Sequence, residues 1–534
     1  MNATHLKPGT THAGNSAYVL GTDRRVLVQF AWILGVFSAI YLFCWPVVFS
    51  LDLWILKDRS SFLNLDNLLS EHMRLGVDTF YSYGLLPVAI QHWLFALFGS
   101  GYLPLLGCAI ATMILIALFC ALYLRFLPRE WVWMASILVM ARMVNIVNPN
   151  LPYELVQLSL LFALLCVLAG RLDLGLAAAA VGCWSVPSLP LVMAVSLTLL
   201  IVLDWFLKPS RSAQGLILAL APGIGTYLGL GVLMAIEFGR SSAVATATPL
   251  AGMRFYRQVN FGTGHALLEF LHPAGHSLLY YVTYSLFTPV IWWVFCTVSL
   301  TIFGLMAVRR MALQRALDPQ DTAIALAALI QVMFVCVAYG SPHQHFIFDP
   351  ILIIGTLLGL SALPATRMRS LLVIGFLVFG VAGQANLVRA DVKAWKEIKS
   401  PGATANLYAD SKWIKEWREI LELSNHQNLL LFSYGTGVHH YFPSVHSPDA
   451  WTMQEGQLLP EDKARVLRQM DEANVVALDL TSPTTLVERD TDIQGHLQSL
   501  CLTQSTDNFQ VWKRLASGAT DARCMENPRR FYGK

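Results

Sequence analysis

Charge is what this chain has least of. Only 13% of its 534 residues are Asp, Glu, Lys or Arg, and 55% are hydrophobic. An average soluble domain is nearer about 25% charged. A water-soluble core cannot absorb that much apolar surface, so the excess belongs against lipid and the chain reads as a polytopic membrane protein. Basic blocks of the kind that grip a nucleic-acid backbone are also missing, and the net charge of +3 says nothing about such a partner. There is no CxxC and no Cys/His ligand spacing, so no zinc centre is expected. Internal repeats and low-complexity segments are absent too. Cys44, Cys108, Cys120, Cys166, Cys183, Cys296 and Cys336 lie in apolar runs, where a thiol behaves as a small hydrophobe. Cys501 and Cys524 lie in a polar C-terminal region. An oxidising compartment would let them pair; the alternative is two free thiols.

What is there is a series of apolar runs. At about 20 residues per crossing, spans are expected at roughly 27–50, 103–126, 130–147, 154–170, 173–188, 189–207, 214–237, 278–308, 321–340, 346–363 and 369–387, about eleven in all. Residues 1–26 are polar and mixed, unlike a cleavable signal, so the first run should stay as an anchor. One set of alternate loops carries Arg24/Arg25, Arg125/Arg129, Arg171, Lys208/Arg211, Arg309/Arg310/Arg315 and Arg367/Arg369. By the positive-inside rule these loops face the cytoplasm. The N-terminus is then inside. Segments 51–102 and 239–277 and the region from 388 to 534 are outside, and 27–387 forms the membrane module.

The C-terminal region has globular composition. "NLLLFSYG" (428–435), "NVVALDL" (474–480) and "NFQVWKRL" (508–515) predict short buried strands, and "EDKARVLRQMDEA" (461–473) predicts an amphipathic helix. That order implies a small α/β domain.

The first outside segment holds "NLDNLLSEHMRLGVDTFYSYGLLP" (64–87). Leu65, Leu68, Leu69 and Leu75 recur at helical spacing, with Asp66, Asn67, Ser70, Glu71 and Arg74 on the other side. This pattern predicts an interfacial helix with its apolar face on the membrane, capped by Asn64 and ended by Gly76. The run 83–99 that follows suits a second interfacial helix, because a crossing there would put the basic loops outside. A solvated polar face on an anchoring helix is the plainer account; acids held beside a bilayer can also meet a lipid-borne substrate.

An acidic amphipathic helix just after the first span, then "G-x-D-x-F-x-x-Y-G-x-L-P" and a second interfacial helix, resembles the integral-membrane GT-C glycosyltransferases. Many bacterial members carry "Y-G-P-L" or "H-P-P-L" there, so the later proline of "YGLLP" is a departure. The resemblance covers the chain by layout, and by motif only this stretch and the C-terminal region. It implies inverting transfer of a sugar from a polyprenyl-phosphate donor to an extracytoplasmic glycan, lipid or protein acceptor in a bacterial inner membrane. Such chemistry needs a carboxylate base for the acceptor proton and cations or donors at the departing phosphate. Asp66 is the first candidate for the base and Asp78 the second. Arg74, beside them, is a candidate for binding substrate or phosphate. Glu154, closing "NIVNPNLPYE" (145–154), is an acceptor-orienting acid or a carboxylate favoured by the helix dipole. Arg142, within a span, reaches phosphate or snorkels to the surface. Arg254, Tyr256 and Arg257 form a cationic, aromatic cluster suited to phosphate, and His343 and His345 of "YGSPHQHFIFDP" are expected near it or in water. No DxD stands in the external loops, so no cofactor is expected and metal-independent transfer is favoured over use of a divalent cation. A surface-glycan polymerase or ligase, a non-catalytic GT-C-like scaffold and a transporter are the alternatives.

Overall fold

The computed structural model describes residues 24–43, 58–123, 126–127, 131, 151–207, 212–247, 289–333, 350–380, 392, 398–401, 408–453, 458–480, 490–515 and 524–525. The membrane module runs α1 (Arg24–Phe43), α2 (Asp58–Ser70), α3 (Leu86–Phe98), α4 (Tyr102–Tyr123), α5 (Leu151–Leu168), α6 (Leu172–Cys183), α7 (Ser188–Leu207), α8 (Ala213–Phe238), α9 (Arg240–Ala247), α10 (Pro289–Gln314), α11 (Pro319–Met333), α12 (Pro350–Ser361) and α13 (367–380). Among the described residues five stretches are long and apolar enough to cross a bilayer: Leu103–Tyr123, Leu151–Leu168, Ser188–Leu207, Ala213–Phe238 and Val294–Gln314. The protein is an α-helical membrane protein.

Among the described residues these five stand against the roughly eleven spans expected, and the runs 27–50, 321–340, 346–363 and 369–387 extend beyond the described residues. Residues 173–207 do break into two helices, but α6 has 12 residues, about 18 Å at the α-helical rise, short of a hydrocarbon core of about 30 Å. The 130–147 run lies outside the described residues except for Trp131. Apolar content counts buried core helices and spans alike, and length separates them.

α5 is the centre of the bundle, with 78% of its apolar window buried, whereas the window of α8 is 6% buried and faces outward. α5 begins, α6 stops, α7 begins and α8 stops at one end of the bundle. The segment 80–89 docks there. The Gly84 N–H donates to the Ser185 carbonyl at 2.8 Å and the Leu86 N–H to the Trp184 carbonyl at 2.9 Å. A Cβ on Gly84 would lie 2.1 Å from the Trp184 oxygen, so the glycine of "YGLLP" is required by close backbone approach. α3 spans 13 residues, about 20 Å at the α-helical rise and short of a hydrocarbon core of about 30 Å.

The C-terminal unit opens with a hairpin of β1 (Ile398–Pro401) and β2 (Tyr408–Asp410). A five-stranded sheet follows, built from β3 (Leu429–Phe432), β4 (Val445–His446), β5 (Val475–Asp479), β6 (Cys501–Ser505) and β7 (Phe509–Lys513) in the order β4-β3-β5-β7-β6. β4, β3 and β5 run parallel; β7 is antiparallel to β5 and β6. Both faces are covered, so the central strand β3 is apolar throughout and β5 nearly so. Leu429, Leu431 and Val511 meet Trp413, Trp417 and Ile420 of α14 (Ser411–His426). Leu430, Phe432 and Trp512 meet Val466 and Met470 of α15 (Pro460–Glu472) and Ile493 and Leu497 of α16 (Thr491–Gln498). The three expected strands and the helix between two of them are therefore present. Leu106 of α4 joins the first of these clusters and ties the sheet to the bundle. Cys501 and Cys524 form a disulfide.

Candidate functional site

α2 does not rest on the membrane by its apolar face. Leu65, Leu68 and Leu75 are fully buried among Trp184, Met234, Ala243 and Trp451, so that face is covered by the bundle end and the C-terminal unit. Asn64 is not a cap. It lies inside a helix that starts at Asp58, and its amide donates to Thr436 Oγ1 at 3.0 Å and to the Ala450 carbonyl at 3.1 Å. The helix ends at Ser70 rather than at Gly76, with His72 in the left-handed region at φ 61°. Local spacing revealed an amphipathic helix but not which surface would cover it.

Asp66 stays on the open side, its side chain 32% exposed. His92 Nδ1 of α3 lies 3.4 Å from Asp66 Oδ1, and His92 Nε2 lies 3.9 Å from Glu237 Oε1 at the end of α8. His440, on a short 3₁₀ turn of the C-terminal unit, feels the same Asp66 charge. Burial pushes the His440 imidazole down, while a backbone hydrogen bond at Leu63 and Asp66 pull it up. Among the described residues, His92 is the only ion-pair partner of Asp66. The carboxylate thus sits beside the His92 imidazole and within electrostatic reach of His440, with a face open to solvent and, among the described residues, no Arg or Lys paired to it.

Asp78 is in the opposite situation. Arg74 Nε and Nη2 each donate to it at 2.8 Å, and the Arg74 backbone N–H donates at 2.9 Å. The hydrogen-bonded guanidinium holds the Asp78 carboxyl down at about 2. So weak a base is poorly matched to proton abstraction near neutral pH. Arg74 is spent on the same fork and is not poised for phosphate. Both candidates therefore shape a loop.

That loop is clamped by two residues the sequence did not single out. Asp462 of α15 is wholly buried; its Oδ2 accepts the Phe80 N–H at 2.9 Å and the Leu459 N–H at 3.0 Å. Arg465 pairs with Asp462 and donates to the Asp78 carbonyl at 3.1 Å. An acid in the first turn of an amphipathic helix is common, and nothing in its spacing marks a partner 382 residues away.

Glu154 is 3% exposed in the first turn of α5 and accepts from Thr112 Oγ1 of α4 at 2.7 Å. It ties two spans together at the same bundle end, in place of lining an external turn. The neighbouring Tyr153 hydroxyl meets that of Tyr83 at 3.4 Å, which links α5 to the "YSYG" loop. Arg142, Arg254, Tyr256, Arg257, His343 and His345 lie outside the described residues.

A cleft of about 400 Å³ opens between the polar side of α2 and the C-terminal unit. Glu71, His439, His446, Ser447, Asp449 and Glu472 are among the residues that line it. The Glu71 carboxyl is pushed up by burial and by the Asp449 charge, and burial with neighbouring His440 and His446 pushes His439 down to about 4. No group of three or more His, Cys, Asp or Glu suited to a metal ion occurs among the described residues. An α-helical membrane module capped at one end by an α/β unit, with a half-open carboxylate at the junction, is the class that fold and site define. No model of a known protein family matches the chain, and no curated protein matches it.

Proposed function

We propose that this protein is a membrane glycosyltransferase of GT-C type. It moves a sugar from a polyprenyl-phosphate donor to an extracytoplasmic glycan, lipid or protein acceptor by an inverting, metal-independent reaction. Asp66 is the general base. The observation that carries this choice is the contrast between Asp66 and Asp78. Asp66 lies half-open beside His92, within electrostatic reach of His440 and with no guanidinium on it among the described residues, and Asp78 is neutralised by Arg74. A base must reach the acceptor hydroxyl without a guanidinium fixed on it, and of the two candidate acids Asp66 is the one whose described ion-pair partner is a histidine rather than an arginine. His92, placed between Asp66 and Glu237, orients the carboxylate. The departing phosphate is assigned to Arg254 and Arg257, with Tyr256, Arg142, His343 and His345 as further donors. The reading also has the junction of bundle and C-terminal unit facing away from the cytoplasm, in a bacterial inner membrane. The disulfide at Cys501 and Cys524 favours that side.

The test is transfer by the purified full-length protein in nanodiscs, with a panel of labelled polyprenyl-phosphate sugars and a crude envelope fraction as acceptor. Transfer that falls at least about 100-fold in Asp66→Asn, a usual loss for a missing general base, supports the reading. Transfer from no donor in the panel, or full transfer by Asp66→Asn, rejects it. A scaffold would keep its cellular function in that variant.

A further inference from the structure

The cleft between α2 and the C-terminal unit is built largely from groups that accept hydrogen bonds. Glu71, just after α2, lines it with Asp449 and Glu472, three carboxylates around one opening of about 400 Å³, and the Asp449 charge acts on Glu71. That volume lies within the range of about 300–1,000 Å³ usual for small-molecule sites. None of the described lining residues is Lys or Arg. Arg465 is close enough to act on Glu71, but it is committed to Asp462 and to the Asp449 and Asp78 carbonyls. A phosphate or carboxylate ligand would meet uncompensated negative charge here, and a metal ion would lack a chelating cluster.

A second observation is independent of the acids. Ser447 is 6% exposed, lines the cleft, and its Oγ has no hydrogen-bond partner. His439 Nε2, on the same wall, is also buried and unpaired. Buried polar atoms are normally satisfied, so an unpaired hydroxyl and imidazole on a cleft wall mark places where a ligand completes the bonding. Together the wall offers carboxylates that accept and a hydroxyl and imidazole that accept or donate. The matching ligand is rich in O–H donors and carries no negative charge.

We propose that this cleft binds a neutral saccharide, held by hydroxyl-to-carboxylate hydrogen bonds at Glu71 and Asp449 and completed at Ser447 and His439. The cleft begins one residue along α2 from Asp66, at Asn67. Assigning the saccharide as the acceptor of transfer rests on the function proposed above; its binding does not.

The experiment is ligand-observed NMR on the full-length protein in nanodiscs. Neutral oligosaccharides are compared with uronic-acid and phosphorylated counterparts of the same size. Expected is binding of neutral members only, weakened at least tenfold in Glu71→Gln/Asp449→Asn and in Ser447→Ala, with unfolding temperatures near that of the parent protein. Binding retained in Asp66→Asn is part of the expectation. The inference is overturned if no neutral saccharide binds, if anionic ones bind as well, or if the cleft variants bind like the parent. Neutral saccharide binding without any transfer would leave the cleft standing and remove the transferase reading. Transfer that survives in the cleft variants with unchanged acceptor KM would do the reverse.

Discussion

The Asp462 carboxylate accepts the backbone N–H of Phe80 at 2.9 Å, although 382 positions separate them in the chain. Through this bond and the Arg465 contact with the Asp78 carbonyl, the C-terminal unit holds the loop that follows α2. Asp462→Ala would leave two backbone donors and the Arg465 charge uncompensated. The expected loss is about 3 kcal/mol, as for other buried pairs broken on one side. Denaturant unfolding followed by tryptophan fluorescence checks it, and Asp462→Asn, which keeps an acceptor, should lose less.

Asp78→Asn and Asp66→Asn should separate loop stability from chemistry. Losing the Arg74 fork lowers the unfolding temperature and leaves transfer within about tenfold. Losing the base leaves the unfolding temperature and removes at least about 100-fold of rate. A scanning unfolding measurement beside the transfer assay reads both.

Gly84→Ala places a methyl group 2.1 Å from the Trp184 carbonyl oxygen. Backbone faces backbone there, so no side chain can move aside. The 80–89 segment should leave the bundle end, at a cost of about 3 kcal/mol or more. Size-exclusion profiles of the detergent-extracted protein should show lower monodisperse yield.

Acid should loosen the same junction in steps. His439 is held down at about 4 by burial, so its unfolded form binds a proton first as pH falls from 6.5. Its contribution to stability is complete above about 6.5 and is lost progressively down to about 4. Asp78, held at about 2 against an ordinary 3.8, adds its own loss only below about pH 4. Glu71 and Asp462, both raised by burial, act in the opposite sense on acidification. The clean readout is the difference between the parent and His439→Gln. Their unfolding midpoints should converge between pH 7 and pH 4.5.

The Cys501–Cys524 bridge closes a loop of 23 residues. Cross-links over loops of this size stabilise by about 3 kcal/mol in the chain-entropy account. The double Ser variant should unfold correspondingly earlier. A thiol reagent that cannot cross membranes should label the parent in spheroplasts only after reduction, if the unit faces outward.

Much of the secondary structure was legible from local pattern. β3, β5 and β7 fall within the runs 428–435, 474–480 and 508–515 because sheets covered on both faces demand continuous apolar strands. The helix before β5 was legible from its amphipathic period. β4 and β6 were not: β4 has two residues, and β6 carries Thr and Gln into its polar end. The 173–188 run was read as a span for a related reason. α6 is as apolar as a crossing helix, yet it is short and sits inside the protein, and composition cannot tell lipid from protein as the apolar partner.

For the site, the sequence by itself determined that an amphipathic helix with Asp66 on its polar side follows the first apolar run. It also determined that an α/β unit ends the described chain. Helical and strand periods are local properties, written into a dozen residues or fewer. Only the tertiary structure decided what each polar group would face. It locked Asp78 onto Arg74, buried Glu154 against Thr112, spent Asn64 on Thr436, and left Asp66 open beside His92. Of these contacts Arg74–Asp78 is local, at i,i+4, whereas Asp66–His92 spans 26 positions, Thr112–Glu154 spans 42 and Asn64–Thr436 spans 372, and helical or strand periods do not encode which tertiary neighbour each of these groups will meet.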